Sequence, residues 1–549
     1  MVAPEAADNY SESWEQNLLI VAPPGCGKTE LLAKRADRLI PRLLPNQKIL
    51  ALTFTNRAKA NLSDRLRQIL GAQRFRRYVR VHNFHGHATE IILAHGRTIG
   101  MELDDLHLPS TQTLRKALQQ FSSDTETNRA AEALLGSAKR NCLDDAEVMN
   151  ALKRAGDALA VRVERERVSD NQLHYDDLLR HAQRLLRVDE VACLYQQHYG
   201  AVLVDEFQDL SLQQLDVVLR TCTSSRTFAG DPLQGIYSWA GASPKEIEAQ
   251  LIALCGKPVQ LTTSYRSSPA VLALLNSVAM PMGAVALKAH DPQQWFEGGA
   301  SAVVELRSPQ HEAEVISLIA QRIVKVDPNT SVGVISRAGW RRSEIDKVFA
   351  ELPDVPCRRW DLAIDDPLIL ERVRVAVAGL PPAATVDDAR NLVVHSLESS
   401  DVDTLEEVTA VFDQLQLVEA SEGGSIRSIL RRFPARGDES AVGPGVHLLN
   451  AHTGKGQQFD WVFVIGLEEG HLPGSRSNTG EALKEEERVL LVMLSRARHG
   501  IMVSRAKKLN GKFGPYDSKP SRWLQQLQTA ATMNGPTLWD HVKKKYPLP

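Results

Sequence analysis

The chain has 549 residues, 43% of them hydrophobic and 24% charged, with a formal net charge of −2. That length exceeds one ordinary core, so several domains are expected. The near-neutral balance excludes a protein that coats nucleic acid by bulk charge, but it leaves room for a local basic groove. No apolar run approaches the roughly 18 residues of a membrane helix. The six cysteines, at 26, 142, 193, 222, 255 and 357, never fall as CxxC, which argues against a zinc or iron–sulfur site. Glu5, Asp8, Glu12 and Glu15 stand where a secretory signal would carry a basic start. The expectation is a reduced, cytoplasmic protein without membrane contact.

In chain order, Leu18-Leu19-Ile20-Val21 reads as a buried parallel strand. Ala22, Pro23, Pro24, Gly25, Cys26 and Gly27 follow, and then a helical pattern with Leu31, Leu32 and Leu39 on one face. Strand, glycine turn and helix start bring backbone N–H groups and the helix dipole together on a phosphate. Lys28 would reach the outer phosphates of a nucleoside triphosphate, and the Thr29 hydroxyl would hold magnesium. Ala22 occupies the first glycine position of the strict pattern, and this stretch alone also fits a glycine-rich turn without a ligand. Further on, Ala201-Val202-Leu203-Val204 is a second buried run ending in Asp205-Glu206-Phe207-Gln208-Asp209. Paired carboxylates at a strand's C-terminal end sit where open α/β sheets bind ligands. Asp205 is the candidate metal ligand, and Glu206 the candidate base for an attacking water.

The remaining motifs form an ordered series: ALTFTNRAKANLSDRL (51–66), VHNFHGHA (81–88), LHYDDLL (173–179), FAGDPLQGIYSWAGA (228–242), LTTSYRSSPAVL (261–272), VHLLNAHTGKGQQFDWVFVIGLEEGHLP (446–473) and EEERVLLVMLSRAR (485–498). With the phosphate loop and VLVDEFQDLS, this series resembles the superfamily 1 DNA helicases of the UvrD/PcrA/Rep type over nearly the whole chain. The resemblance implies an α/β fold with two RecA-like parallel-sheet motor domains, ATP and Mg2+ as cofactors, and 3′→5′ travel on single-stranded DNA. It assigns Glu206, Gln234, Arg266 and Arg496 to catalysis, the two arginines as fingers that complete the site when the cleft closes on ATP. Tyr265 would stack on adenine, and Gln458 would bond the ribose in place of the family's glutamate. Phe54, Phe84, Tyr237 and Trp239 would stack on bases, with Thr55, Asn56, His85, Arg337 and His452 touching the strand. Each of these aromatics taken alone is more often a core residue, and the motif context reverses that for Trp239 and Phe54, less so for Phe84 and Tyr237. Gln16, immediately before the first strand, is the only stand-in for the family's adenine-reading glutamine.

These motifs leave room for a helical insertion near 90–172. They set the first motor domain as 1–89 plus 173–267 and the second as 268–360 plus 446–549. Residues 361–445 would be a small insertion with sixteen acidic and seven basic residues, a surface that disfavours duplex phosphates and suits a protein partner. Lys543-Lys544-Lys545 is expected as a frayed basic tail. The leading expectation is an ATP-dependent 3′→5′ helicase or translocase acting in DNA repair or recombination. Its partners would be single-stranded DNA, single/double-strand junctions and a nuclease or repair factor. A DNA-sensing ATPase subunit of a phage-defence system, working with a separate nuclease, is the alternative, and a non-catalytic DNA-binding scaffold the third.

Overall fold

The computed structural model describes residues 16–109, 113–236, 244–352, 354–360, 367–396, 411–412, 415–420, 423–432, 442–511 and 514–548. Its contacts form two compact units, the first running to Leu261 and the second from Thr262, with Pro24–Cys26 counted with the second.

The first unit is built on β1 (Asn17–Val21), β2 (Lys48–Thr53), β3 (Val79–Asn83), β4 (Tyr199–Asp205), β5 (Arg226–Gly230) and β6 (Val259–Gln260). They make one sheet in the order β3-β2-β4-β5-β1-β6, and every pairing is parallel. Strands of such a sheet are apolar on both sides, and Leu18–Ile20, Ile49–Leu52 and Ala201–Val204 are sealed from solvent. Parallel strands bring all their C-terminal ends to one edge. Val21, Thr53, Asn83, Asp205 and Gly230 end their strands there, so the motifs that follow these five strands hang from the same edge. The helices that follow start at once: α1 (Lys28–Leu39), α2 (Asn56–Leu70) and α3 (Phe84–His95).

Helix α3 buries Phe84, Ala88, Ile91 and Ile92 in the sheet's own core. A separate cluster containing Leu118, Leu135, Val148, Leu152 and Val163 is formed by α4 (Thr113–Phe121), α5 (Thr125–Lys139), α6 (Asp145–Ala155) and α7 (Ala158–Ser169). At its foot, His107 pairs with Gln172. Buried charges then tie this helical cluster to α8 (Tyr175–Leu185). Lys139 lies 2.7 Å from Glu164 and 2.8 Å from Asp177. Arg180 lies 2.6 Å from both Asp177 and Asp145.

In the second unit β7 (Thr263–Ser264) pairs with β8 (Lys288–Ala289). The main sheet comprises β9 (Ala300–Leu306), β10 (Ser331–Ser336), β11 (Cys357–Arg359), β12 (Gly445–Asn450), β13 (Phe459–Ile465) and β14 (Ala497–Ala506). Its order is β11-β12-β10-β13-β14-β9, again parallel throughout. VGVISR supplies β10. The fold is therefore the mixed α/β class expected, with two RecA-like sheets. Between β11 and β12 lie α9 (Pro367–Ala378), α10 (Val386–Ser396) and α11 (Ile426–Arg431). They share a small core of their own that includes Val373, Val377, Val386, Phe412 and Ile429. Helix α12 (Gly480–Leu494) carries Glu486 inward.

The lysine triplet is not a frayed tail. It closes helix α13 (Gly535–Lys545), which Asn534 caps and which packs Leu538 and Val542 into the second sheet's core. Lys544 pairs with Glu297 at 3.2 Å. The amphipathic spacing of Leu538 and Val542, one turn apart, outweighs the charge run.

Candidate functional site

At the edge of the first sheet, β1 turns through glycines whose backbone is left-handed. Gly25 and Gly27 both have φ near +81°, a conformation that a side chain disfavours. Ala22 is buried and its N–H donates to the Gly230 carbonyl at 2.7 Å, so the turn is tied to β5. A β-carbon is accommodated at Ala22, and the loop does not need the family's first glycine there. Lys28, the first residue of α1, points to the end of β4. Its ammonium lies 3.0 Å from Asp205 and also pairs with Glu206. Burial works against the ammonium, but the two carboxylates outweigh it and hold Lys28 protonated well above its ordinary range. Burial pushes the Asp205 carboxyl up; Lys28 opposes this and Glu206 reinforces it.

A chain of side chains continues from that pair. Glu206 sits in a left-handed backbone conformation, φ +59°. Gln208 Nε2 donates to Glu206 Oε2 at 2.6 Å, and Gln208 Oε1 accepts from the Asp231 N–H at 2.9 Å. Gln234 Nε2 donates to Asp231 Oδ2 at 2.8 Å. Gly230 is what admits Gln208 to this position, since a β-carbon there would collide with Gln208 Oε1 and the Phe207 ring. Burial raises the Asp231 carboxyl as well. Asp205 and Glu206 thus share the Lys28 ammonium, and Gln208 links Glu206 to Asp231. Asp205, with Thr29 one residue beyond Lys28, offers the hard oxygen donors that a divalent cation takes, and this donor set fits magnesium.

The second unit holds its own set. The Tyr265 N–H donates to the Gly25 carbonyl at 2.8 Å, and the Tyr265 ring lies 4.5 Å from His290. The backbone N–H of Arg266 donates to Ser264 Oγ at 3.3 Å. Arg496 is buried. Its Nε donates to the Val492 carbonyl at 2.9 Å and its Nη2 to Ser495 Oγ at 2.6 Å, so the hydroxyl at 495 orients the guanidinium. Gln458 is exposed, whereas its neighbour Gln457 is buried. Arg337 follows β10 and forms a two-pronged pair with Glu486, with its Nη2 at 2.7 Å and its Nε at 2.9 Å from Oε1. His452 lies 3.4 Å from Arg337, and burial brings its pKa down to about 4, so it is neutral.

The model of the UvrD/REP helicase N-terminal domain matches residues 4–251, and that of the UvrD-like helicase C-terminal domain matches residues 384–508. The chain belongs to the UvrD/Rep family of superfamily 1 helicases. It is an ATP-hydrolysing helicase enzyme. The chain is 28% identical to the "ATP-dependent DNA helicase UvrD2" of Mycobacterium tuberculosis (strain ATCC 25618 / H37Rv), over 92% of this chain and 79% of that protein. It is 22% identical to the "DNA helicase II" of Rickettsia typhi over 94% of both chains. It is 24% identical to the "ATP-dependent DNA helicase UvrD1" of Mycobacterium bovis over 93% of this chain and 83% of that protein.

The strand-contact candidates of this UvrD/Rep-type helicase divide. Thr55 is exposed and caps α2 by accepting from the Ala58 N–H at 3.1 Å. Asn56 accepts from Asn83 Nδ2 at 2.7 Å. Phe54 is half-buried and meets Phe84 edge to face, with ring centroids 6.4 Å apart. The His85 ring stands edge-on to Tyr175 at 5.3 Å, and burial lowers its pKa against the pull of Asp176. Phe84 must be withdrawn from the stacking set. It is 1% exposed within the first core, so no ring face is open to a base. As the first residue of α3, it turns inward with Ala88 and Ile91. Tyr237 and Trp239 lie outside the described residues. Gln16 is committed elsewhere, since its Nε2 donates to the Thr223 carbonyl at 2.9 Å. Sequence reasoning passed over Gln208, Asp231, Asn83, Tyr175 and Glu486. The signal for Gln208 and Asp231 was present in DEFQD and GDPLQ, two polar clusters closing adjacent parallel strands.

Proposed function

We propose that this helicase is an ATP- and magnesium-dependent motor that moves 3′→5′ along single-stranded DNA and opens duplex at junctions, in repair or recombination. The observation that carries the reading is the run Lys28–Glu206–Gln208–Asp231–Gln234. It links the phosphate-loop lysine to Gln234, two residues before the IYSWAGA stretch that resembles the family's base-stacking motif. In this reading Lys28 and the loop N–H groups from Gly25 to Thr29 hold the phosphates, and Glu206 takes the proton of the attacking water. Arg266 and Arg496 neutralise charge on the transferred phosphoryl group. Thr29 and Asp205 would hold magnesium, which would offset the negative charge of the phosphates. Gln234 senses the phosphate end of the chain of hydrogen bonds, and Gln208 keeps Glu206 aimed. Phe54, Trp239 and Tyr237 stack on bases. Thr55, Asn56, His85, Arg337 and His452 line the strand's path. Tyr265 stacks on adenine and Gln458 bonds the ribose. The small acidic insertion suits a protein partner better than duplex DNA.

Displacement of streptavidin from biotinylated oligonucleotides tests the direction. ATP-dependent displacement from the 5′ end but not the 3′ end is expected. Faster displacement from the 3′ end would reverse the polarity.

A further inference from the structure

The strand-contact residues of the second unit have an aromatic neighbour that no motif assigns. Trp340 sits on the short turn Gly339–Arg342, three residues beyond Arg337, and is 65% exposed. Among the described phenylalanine, tyrosine and tryptophan residues none is more exposed, and an open indole is a broad stacking face. Two flanking arginines make the turn rigid. Arg341 is buried against Glu312 and Glu468, both at 2.8 Å. Arg342 is buried against Asp346 at 2.6 Å. The turn is therefore anchored from below while the indole stands outside.

The ring is not isolated. It lies 4.6 Å from the imidazole of His471, tilted by 50°. Burial lowers the pKa of His471, with Glu468 opposing and Arg341 assisting, so the imidazole is a neutral neighbour. His471 belongs to the loop that follows β13, and Glu486 fastens that loop to the strand-contact residues. One of its oxygens accepts from the Gly474 N–H at 3.2 Å, while the same carboxylate holds Arg337. Arg337, His452 and the β13 loop follow the C-terminal ends of three adjacent strands, β10, β12 and β13, where Ser336 is level with Asn450 and with Ile465. The acidic residues named on this turn and loop are ion-paired: Glu468 with Arg341, which it shares with Glu312, Glu486 with Arg337, and Glu469 with Arg522 at 2.9 Å. Arg476 in the same loop is exposed. The turn thus offers an open aromatic face, and the loop against which it rests carries the exposed Arg476. That combination suits a base with its phosphate.

We propose that Trp340 is a base-stacking platform for single-stranded DNA on the second unit, continuous with Arg337 and His452. The proposal rests on the single-stranded DNA reading above and adds a contact to it. A stacking face on each unit would let the second unit hold a base by its ring while the first changes its grip.

The test is equilibrium binding of a fluorescein-labelled oligo(dT) to the full chain, followed by anisotropy, for wild type, Trp340→Ala and Trp340→Phe. Base stacking measured by alanine substitution corresponds to a loss of roughly five-fold or more in affinity. Trp340→Ala is expected to weaken binding by about that factor, and Trp340→Phe to restore most of it. An abasic strand of equal length separates stacking from a structural effect. The wild-type preference for the base-bearing strand should shrink in Trp340→Ala. Wild-type affinity and unchanged base preference in Trp340→Ala would overturn the proposal. If wild type itself does not bind oligo(dT), the single-stranded DNA reading fails and this contact fails with it.

Discussion

Glu206 and Gln208 divide the labour at the end of β4. Glu206 faces Lys28 with one oxygen and Gln208 with the other, so its position is fixed from two sides. Glu206→Gln keeps the shape but removes the base and one of the two acceptor oxygens. Loss of a general base costs about 100-fold or more. Turnover is therefore expected to fall by that factor while a fluorescent ATP analogue still binds; turnover near wild type would remove Glu206 from its role. Gln208→Ala acts differently, because it orphans the buried Asp231 N–H and releases Glu206. Stability should drop by about 1–3 kcal/mol in denaturant unfolding, with a parallel loss of ATPase. Full activity would show that Glu206 needs no such support. Lys28, Asp205 and Glu206 could be read from the sequence because residue type, strand end and spacing coincide. Gln208 and Asp231 could not be paired that way. Their contact depends on β4 and β5 being neighbours, which sequence order does not state. Phe84 was misread because one aromatic after a strand does not say which way its ring turns.

At the scale of elements, the helical insertion is held by charge as well as by apolar packing. Lys139 on α5, Glu164 and Arg167 on α7, and Asp177 and Arg180 on α8 are all buried. Asp145, Asp177 and His181 lie close enough together to share a cation, but Lys139, Arg167 and Arg180 already neutralise those carboxylates. Lys139→Met leaves Glu164 and Asp177 with one cation fewer in a site closed to water. Breaking a buried pair from one side costs about 3–5 kcal/mol. Urea unfolding should show a loss of that size, and a change within the error of the midpoint would mean that the network is dispensable. Helical periodicity made the insertion legible, but its buried ions were hidden, because Lys139 or Arg180 alone reads as a solvated face. The same bias made the lysines of α13 look like a tail, although Leu538 and Val542 pin that helix to the core.

Across the whole molecule, several histidines are buried in the neutral form. Burial holds His87, His174, His181 and His499 down to about 3, and His447 down to about 4, against an ordinary value of 6.5. A folded-state pKa below the unfolded one contributes stability that is complete above pH 6.5 and is lost as pH falls towards the folded value. Each such group should cost about 1 kcal/mol between pH 7.5 and pH 5.5. The raised carboxyls of Asp205, Asp231, Glu248, Glu312 and Glu487 work in the opposite direction, but the lowered histidines, which also include His82, His85, His198, His452, His471 and His541, outnumber them. The urea midpoint should therefore fall between those pH values, and a constant or rising midpoint would contradict the burial of these rings. The two parallel sheets were legible at this scale because the ordered motifs resemble a family built on two RecA-like domains, whereas the apolar runs marked only single strands such as β1, β4 and β10. The start of the first insertion was not, since α3 continues the first core beyond residue 90.

The central claim is that ATP hydrolysis at Lys28 and Glu206 is coupled to a single strand of DNA. The most direct test is the steady-state ATPase rate of the full chain with no nucleic acid, single-stranded DNA, blunt duplex or RNA. The account predicts strong stimulation by single-stranded DNA and little by the other additions. A high rate without DNA, or one raised only by duplex ends or RNA, would contradict it.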